Sequence, residues 1–284
     1  MTLSTHDSQQ LTDFLRANPR IVVLTGAGIS QAAGIPTYRD AQGQWQHSAP
    51  IQEQEFLQQP ARRQRYWARS MRGWPPVRDA IPTSAHRALT VLEQSGHIDT
   101  IITQNVDRLH QRAGSDRVID LHGRLDQVRC LNCTANHSRD DIQSQLLEHN
   151  GATFATQSLR PDGDVDLPTE QEQHFSVPTC PLCDGIVMPD VVFFGGNVPR
   201  ERVQQCMDAV ERSDALLAIG SSLQVFSGFR FCRRAHQLGK PLMILNPGET
   251  RADPIASLKL AADCQRLLPE VAAKARSATQ SPSQ

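Results

Sequence analysis

A histidine followed by a glycine, at positions 122 and 123, is where the residue pattern points to acid–base chemistry. His122 directly follows residues 117–121, which predict a short buried strand. Imidazole has an unperturbed pKa of about 6.5, so a histidine held at a strand end can act as a general base near neutral pH. Gly123 would leave space around the ring. A structural role is the alternative for any single histidine.

Three polar side chains stand at the end of the preceding predicted strand. Residues 101–102 indicate a buried strand and residues 106–113 a helix, so Gln104, Asn105 and Asp107 fall where open α/β sheets bind ligands. An amide such as Asn105 can hold a hydroxyl or a water without titrating, and Asp107 can accept a hydrogen bond from a carboxamide. Alternatively, Asn105 or Asp107 merely caps the helix.

A strand-to-glycine turn near the N-terminus suggests an anion site. Residues 21–24 predict a buried strand, and Gly26 and Gly28 follow it, where a ligand could approach the backbone closely. A tight structural turn is the alternative. The next glycine is Gly34, so the spacing differs from the G-x-G-x-x-G fingerprint of hydride-transferring enzymes. The polar, irregular residues 36–43 predict a loop that covers a cofactor.

Two later turns have a similar form. Residues 214–219 and 240–245 predict buried strands that run into Gly220-Ser221-Ser222 and Asn246-Pro247-Gly248. Their hydroxyls and amides suit phosphate or ribose oxygens. Each turn alone is weak evidence, since many loops have this composition.

Two C-x-x-C pairs have the spacing at which one turn presents two thiolates to a tetrahedral Zn²⁺. They are Cys130 with Cys133 and Cys180 with Cys183. Four thiolates close the coordination shell, so the ion is expected to stabilise the fold and to take no part in chemistry. Chance pairs or a redox motif are the alternative. The spacer, residues 134–179, is longer than the roughly 15 to 20 residues typical of zinc ribbons.

A predicted helix over residues 53–72, interrupted near Pro60, carries the most basic stretch of the chain. Tyr66 and Arg69 are three residues apart, so they share a helix face and could together bind a carboxylate. The alternative is a core tyrosine and a solvated arginine. Residues 191–194 are a short apolar run that predicts either a core strand or a strand edge pairing with an extended peptide.

The composition narrows the class of protein. A chain of 284 residues can form one large domain, and a net charge of −1 indicates no general attraction to nucleic acid or anionic membranes. No apolar run approaches the roughly 18 residues of a membrane span. The N-terminus lacks the pattern of a signal peptide, and an odd number of cysteines, seven, fits a reducing compartment. We therefore expect a cytoplasmic protein.

Separate segments of the chain, in one order, resemble the sirtuins, the NAD-consuming protein lysine deacylases. The resemblance covers about residues 10–272 and includes GAGIS with the polar stretch after it, TQNVD, LHG, the cysteine pairs, GSS and ILN. RYWAR is most similar to the mitochondrial lipoamidase-type members of the class II branch and to their bacterial relatives. Gly195 is followed by Gly196 where many members have glutamate, which departs from the family pattern.

The resemblance implies a role for each matching residue. It makes His122 the catalytic base, aided by Asn105, and places Gln104, Asn105 and Asp107 around the nicotinamide and its ribose. The implied NAD contacts are Gly26, Ala27, Gly28, Ile29, Pro36, Tyr38, Arg39, Trp45, Gln104, Asn105, Asp107, Gly220, Ser221, Ser222, Asn246, Pro247, Gly248 and Cys264. The implied contacts with the acylated substrate are Tyr66, Arg69, Val191, Val192, Phe193, Phe194 and Gly195.

The implied reaction consumes NAD. The oxygen of an acyl-lysine amide displaces nicotinamide, His122 takes a proton from a ribose hydroxyl that attacks the intermediate, and water then releases lysine and an O-acyl-ADP-ribose. An ADP-ribosyltransferase using the same site is an alternative, and a silent NAD-responsive binding module is another. The implied partners are acylated lysines of proteins, with no nucleic acid or membrane, and the chain is expected to act as a monomer with one structural zinc.

Strands predicted near residues 21, 98, 117, 191, 214 and 241 alternate with helices, which is typical of an α/β fold with a Rossmann-like, doubly wound parallel sheet. We expect a single catalytic domain over residues 1–272. Its large lobe spans about 10–30, 83–123 and 189–272, and its small lobe about 31–82 and a zinc module, 124–188, with an insertion at 150–179. Residues 273–284 are low in apolar content and predict a disordered tail.

Overall fold

The computed structural model describes residues 5–40, 44, 46, 50–151, 159–160, 162–165, 167, 172 and 174–279. Its main element is a parallel sheet with the strand order β3-β2-β1-β7-β8-β9. The strands are β1 (Ile21–Thr25), β2 (Ile98–Thr103), β3 (Val118–Asp120), β7 (Ala215–Ile219), β8 (Leu242–Leu245) and β9 (Leu258–Leu260). The predicted α/β class is confirmed.

Strand β1 shows why helices cover both faces of this sheet. All five of its residues are buried, and successive side chains point to opposite faces. Ile21 and Val23 join one apolar core, whereas Val22 and Leu24 join the other. The first core is covered by helices α1 (Thr5–Ala17), α4 (Ser84–Gln94) and α9 (Cys264–Thr279), and the second by α7 (Arg200–Arg212) and α8 (Phe226–Gln237).

The strand order reverses at β1, which has β2 on one side and β7 on the other. The register aligns their carboxyl ends: Thr25 pairs with Thr103 and Ile219, and Ile219 pairs with Leu245. The segments that follow these four strands therefore leave the sheet side by side, at the place where such sheets form a ligand crevice. The first residues beyond the strands are Gly26, Gln104, Gly220 and Asn246.

A smaller antiparallel sheet has the order β5-β4-β6. Its strands are β4 (Gly123–Cys130), β5 (Asn136–Ser138) and β6 (Val187–Val191). The strand predicted near residue 191 lies here, so its assignment to the parallel sheet was wrong. The sixth parallel strand is β9, which was not predicted. An apolar run does not specify its sheet, and β9 is only three residues long with Lys259 in the middle.

The helix predicted over residues 53–72 is observed as α2 (Glu53–Gln58) and α3 (Pro60–Asp79). Helix α3 continues through Pro75 and Pro76, where each ring removes a backbone donor. The carbonyl of Met71, four residues before Pro75, instead accepts a hydrogen bond from Nε2 of Gln143 at 2.7 Å. A side chain from α6 (Arg139–Asn150) thus supplies the bond that proline cannot make.

Two other boundaries differ from expectation. Helix α5 spans only Leu109–Arg112, because Arg108 has a left-handed backbone (φ 65°) and ends any earlier helix. Helix α9 continues to Thr279, so the first part of the tail predicted from residue 273 is helical; Val271 and Ala272 anchor it in the first core. None of the described helices has the length and apolar character needed to cross a membrane.

Candidate active site

A cavity of about 1210 Å³ opens at the carboxyl ends of β1, β2, β7 and β8. Of the predicted NAD contacts, those lining it are Gly26, Ala27, Gly28, Tyr38, Arg39, Gln104, Asn105, Asp107, Gly220, Ser221, Ser222, Asn246, Pro247, Gly248 and Cys264. Ile29 is instead fully buried in the first core, since the turn directs its apolar side chain inward. Pro36 lies between the lining residues Ile35 and Thr37. Trp45 lies outside the described residues.

The two glycines after β1 are required by contact between two turns. The amide of Gly26 donates to the carbonyl of Ile219 at 3.1 Å, and that of Gly28 to the carbonyl of Gly220 at 2.8 Å. A Cβ on Gly26 would lie 2.6 Å from Cβ of Ser221, and one on Gly28 would lie 2.8 Å from the oxygen of Gly220. The first reason for glycine here is therefore backbone packing, with these two amides already used inside the protein.

Gln104 and Asn105 connect the end of β2 to these turns. Nε2 of Gln104 donates to Oγ of Ser221 at 2.9 Å and to the carbonyl of Thr25 at 3.2 Å. Nδ2 of Asn105 donates to the carbonyl of Gly26 at 3.1 Å and to Oγ of Ser30 at 3.0 Å. With both hydrogens of its amide engaged, Asn105 has a fixed orientation and its oxygen is left as an acceptor.

Asp107 acts partly as the helix cap that was the alternative prediction. Its Oδ1 accepts from the amide of Leu109 at 2.9 Å, and its Oδ2 accepts from the hydroxyl of Ser30 at 2.6 Å. Burial raises the pKa of Asp107, while the bonds from Ser30 and Leu109 oppose that rise. The carboxylate is thus held in a fixed place beside the cavity.

The imidazole of His122 is held between two partners. Nδ1 lies 2.9 Å from the carbonyl oxygen of Gln104, and Nε2 lies 2.7 Å from Oγ of Ser227. Because a carbonyl can only accept, Nδ1 carries the hydrogen and Nε2 accepts from the hydroxyl. Burial lowers the pKa of His122 to about 4; the bond to Gln104 opposes this, and the positive charges of Arg202 and Arg230 add to it. The ring is neutral at neutral pH, and its Nε2 is unprotonated.

A residue that the sequence analysis missed supports the glycine turn from behind. Nε2 of Gln265, at the start of α9, donates to the carbonyl of Ile29 at 2.8 Å, and Oγ1 of Thr83 donates to the same carbonyl at 3.2 Å. Oε1 of Gln265 also accepts from the amide of Ala85 at 3.2 Å. Helices α4 and α9 therefore fix the position of residues 26–30, next to the predicted contact Cys264.

An aromatic wall bounds the other side of the cavity. The predicted substrate contacts that line it are Tyr66, Val191, Val192, Phe193, Phe194 and Gly195. The ring of Tyr66 lies 5.3 Å from that of Phe193 and 5.4 Å from that of Phe56, centre to centre. Burial is the main cause that raises the pKa of Tyr66, so the hydroxyl stays protonated. This wall offers an apolar space with a neutral polar tip.

Arg69 borders a smaller, separate cavity of about 270 Å³, with Tyr66 lining both. Nε of Arg69 lies 2.7 Å from Oε1 of Glu172, and Nη1 lies 3.6 Å from Oδ2 of Asp164. Both acids belong to the insertion. Tyr66 is buried, as the alternative prediction has it, and it also lines the main cavity. Arg69 is buried among carboxylates and is not solvated.

The four cysteines Cys130, Cys133, Cys180 and Cys183 come together, with all four sulfurs within 4.8 Å of one another. Sγ of Cys130 lies 3.6 Å from that of Cys183, and Sγ of Cys133 lies 3.7 Å from that of Cys180. Sulfurs at about 2.3 Å around a tetrahedral Zn²⁺ are about 3.8 Å apart, so the arrangement fits the ion. The predicted set is confirmed as one arranged to hold a structural zinc.

Sequence reasoning missed several polar side chains at the site. Ser227 contacts His122, Ser30 contacts both Asn105 and Asp107, and Asp162 of the insertion lines the cavity. A hydroxyl two residues after the second glycine was a usable signal for Ser30. No local pattern marks Ser227, because α8 brings it to the site from 105 residues further along the chain.

The chain is similar in sequence and in structure to proteins of one known family. The model of the Sir2 family matches residues 26–227. The chain is 50% identical over 266 residues to the NAD-dependent protein deacetylase of Bordetella bronchiseptica, covering 93% of this chain and 97% of that protein. It is 44% identical over 269 residues to the NAD-dependent protein deacylase Sirt4 of Drosophila melanogaster, covering 93% and 86%. A solved complex of Sir2 with a p53 peptide and NAD+ superposes with a TM-score of 0.73 at 30% identity, covering 95% and 98%.

Proposed function

The chain belongs to the Sir2 family, and from that premise we propose how its residues carry out NAD-dependent deacylation of lysine side chains in proteins. The enzyme is an NAD-dependent protein deacylase, in which NAD is a co-substrate that supplies an activated ribose carbon and a departing nicotinamide. The observation that carries the proposal is His122, a neutral imidazole with an unprotonated Nε2, in a cavity also lined by three fixed polar side chains.

His122 acts as the general base. Its Nδ1 is committed to the carbonyl of Gln104, so the proton acceptor is Nε2, the nitrogen now bonded to Ser227. A ribose hydroxyl would replace Ser227 as the donor to that nitrogen, and attack of this hydroxyl on the acyl group requires loss of its proton. A buried, neutral imidazole is ready for this step without prior deprotonation.

Gln104, Asn105 and Asp107 orient the co-substrate. Their amide hydrogens and carboxylate oxygens are tied to the turns after β1 and β7, which leaves defined acceptors at the cavity wall. An acceptor of this kind holds a carboxamide or a hydroxyl in one orientation. Because an amide oxygen is a weak nucleophile, holding the reactants in place is the main source of rate, and it can contribute several kcal/mol.

The acyl-lysine enters along residues 191–195 and places its acyl group against the wall formed with Tyr66. Phe193 and Tyr66 exclude water from that space, as their ring contacts and burial support. Gly195 has φ of +75°, and a side chain there would meet Oε1 of Gln52 at 2.6 Å. Glycine is therefore required at this bend beside the cleft.

We also propose that the enzyme acts as a monomer in the cytoplasm, without nucleic acid or membrane. The lining of the cavity is complete within one chain, and none of the seven cysteines forms a disulfide, as is usual in a reducing compartment. The net charge of −1 gives no general attraction to polyanions.

The test is a panel of acetyl-, succinyl-, glutaryl- and lipoyl-lysine peptides incubated with NAD. Nicotinamide release that requires an acylated peptide, with free lysine and an acylated ADP-ribose as products, is the expected result. His122→Ala should lower kcat/KM by roughly 10²- to 10⁴-fold, while His236→Ala, on the exposed side of α8, should not. ADP-ribose left on protein would instead identify a transferase. A His122→Ala variant as active as the parent would refute the assigned base.

A further inference from the structure

Three arginines surround the exposed Phe226 at the start of α8, and the proposed reaction uses none of them. Arg230 and Arg233 belong to α8, whereas Arg251 follows β8. The guanidinium carbons of Arg230 and Arg233 each lie 5.1 Å from the centre of the Phe226 ring, and that of Arg251 lies 5.9 Å from it. Arg251 also lies 4.5 Å from the centre of the Phe229 ring. The surface made of Phe226, Phe229, Arg230, Arg233 and Arg251 is called the cationic rim below.

Among the described residues, no acid forms an ion pair with the cationic rim. Across the described ranges, Arg230, Arg233 and Arg251 form no ion pair, whereas the adjacent Arg234 is paired with Glu211 at 2.6 Å. Arg251 donates to a neutral acceptor, the carbonyl of Gln224, at 3.2 Å. Three positive charges are therefore concentrated on one surface of a chain whose net charge is −1, a pattern that attracts anionic groups locally.

The cationic rim adjoins the reactive centre. Phe226 and Arg230 line the active-site cavity together with Ser227, whose hydroxyl contacts His122. Arg233 is one helical turn beyond Arg230 and is exposed, as are Arg251 and the Phe226 ring, which is 42% exposed. The rim thus runs from the wall of the cavity that contains His122 to the outer surface.

We propose that the cationic rim binds acidic side chains that flank the acyl-lysine of a protein substrate. This inference rests on the proposed deacylase function, and it names the substrate class more closely. An extended segment advances about 3.3 Å per residue, so a carboxylate a few residues from the modified lysine would reach the rim. Arginine binds carboxylates with two parallel hydrogen bonds, and stacking on Phe226 keeps the guanidinium groups in place before binding.

An exposed aromatic ring with arginines is also the composition typical of the energetic centres of protein interfaces. Nucleic acid is the less favoured occupant, because binding a phosphate backbone requires positive charge along an extended surface. The rim is instead confined to one end of α8 and the residues against it. Its continuity with the cavity favours a segment that also supplies the acyl-lysine.

The experiment uses two acyl-lysine peptides that differ only in flanking Asp and Glu residues, replaced in one by Asn and Gln. The ratio of kcat/KM for the acidic to the neutral peptide, at saturating NAD and low ionic strength, should be about tenfold and should shrink at high salt. Arg233→Gln combined with Arg251→Gln should bring the ratio close to one. The matched control combines Arg234→Gln with Arg87→Gln and removes the same total charge. Arg234 is an ion-paired residue of α8, and Arg87 lies on α4, on the other face of the sheet. This control should keep the parent ratio.

Fluorescence anisotropy of the labelled peptides gives the same ratio from Kd values and does not require turnover. Absent turnover would show that the deacylase proposal is wrong. Equal binding of both peptides would show that the proposal for the cationic rim is wrong, so the two outcomes can be distinguished. Equal kcat/KM values for the two peptides, or a control that loses the preference as fully as the rim variant, would overturn the inference. So would a labelled single-stranded oligonucleotide that displaces the acidic peptide and loses binding in the rim variant, since this would assign the rim to nucleic acid.

Discussion

The Nε2 atom of His122 accepts a hydrogen bond from the hydroxyl of Ser227 across 2.7 Å, although the two residues are 105 positions apart in the chain. His122 follows β3, whereas Ser227 lies in the first turn of α8. The nitrogen that is to take a proton is thus occupied by a donor until a substrate hydroxyl replaces it. This contact keeps the imidazole correctly rotated in either protonation state, since the hydroxyl of Ser227 can donate to a neutral Nε2 or accept from a protonated one.

Replacing Ser227 should therefore change the titration of His122. We expect Ser227→Ala to lower the pKa of His122 by up to about one unit, because the charge-assisted hydrogen bond that the hydroxyl accepts from the protonated ring is stronger, by about 1 kcal/mol, than the one it donates to the neutral ring. The acid limb of the pH profile of kcat/KM would move to lower pH by the same amount. Ser227→Thr keeps a hydroxyl and should restore the parent profile. Identical profiles for the alanine variant and the parent would show that the contact has no part in tuning the base.

The buried histidine should also make stability depend on pH. Burial is the main cause that lowers the pKa of His122 to about 4, so between about pH 6.5 and 4 the unfolded chain binds a proton that the folded chain does not. The free energy of unfolding contributed by this site is complete above pH 6.5 and falls as the pH falls, by up to about 1.4 kcal/mol per unit.

Urea unfolding of the parent and of His122→Gln at pH 7.5 and pH 5 isolates this contribution. From pH 7.5 to pH 5, the free energy of unfolding of the parent should fall by up to about 2 kcal/mol more than that of the variant. A comparison with the parent is needed because Asp107 and Asp120, whose pKa values burial raises, act in the opposite direction. A difference between the two proteins that does not change with pH would contradict a lowered pKa at His122.

The cysteine cluster predicts a structural zinc whose loss unfolds the smaller sheet. Cys130 ends β4 and Cys180 is fully buried in the core that also holds Trp67. We expect about one zinc per chain in the parent, and Cys180→Ser should lower both zinc content and Tm, since metal binding contributes to folding. Cys206→Ser is the control, because Cys206 is buried in the second core of the parallel sheet and its loss should leave zinc content unchanged. A Cys180→Ser protein that is metal-free with the parent Tm would refute a structural role.

Most of the fold could be predicted because local sequence patterns indicate the strands of the parallel sheet. Buried strands such as β1 and β7 are continuous apolar runs, and each ends in a glycine or an amide at the crevice. Strand β9 escaped detection because three residues are too few for periodicity, and β6 was assigned to the wrong sheet because pairing partners are not encoded in the run itself. The continuation of α3 through two prolines depends on Gln143, which lies far along the chain.

The candidate site was predictable to the extent that each residue follows a strand end. Gln104, Asn105 and His122 were found because strand ends of a parallel sheet converge. Ser227, Gln265 and Asp162 were not, since helices and the insertion bring them in by tertiary packing. The role of the glycines was only partly predicted. In the structure, Gly26 and Gly28 allow two turns to come into contact, and the sequence of neither turn alone indicates that contact.

The sequence suggests that Arg69 binds a substrate carboxylate, whereas the structure shows it bound to Glu172 of the insertion. One substitution distinguishes these roles. The side chain is 8% exposed and bonded to Glu172 of the insertion, itself 13% exposed. Arg69→Met removes the nearer of two counter-charges of Glu172, the other being Arg65 at 3.7 Å, so we expect a loss of up to about 3 kcal/mol in the free energy of unfolding. Glu172→Gln in the same chain should recover part of that loss, because the carboxylate that has lost its nearer counter-charge is then absent.

If Arg69 in addition reads the acyl group, Arg69→Met must lower kcat/KM for succinyl- and glutaryl-lysine peptides more than for acetyl-lysine peptides. A carboxylate bound by a guanidinium loses a charge-assisted hydrogen bond that an acetyl group never makes, which corresponds to roughly a tenfold or greater difference. Measuring all three peptides below the Tm of the variant separates selectivity from stability. An equal loss on acidic and acetyl peptides would restrict Arg69 to holding the insertion through Glu172.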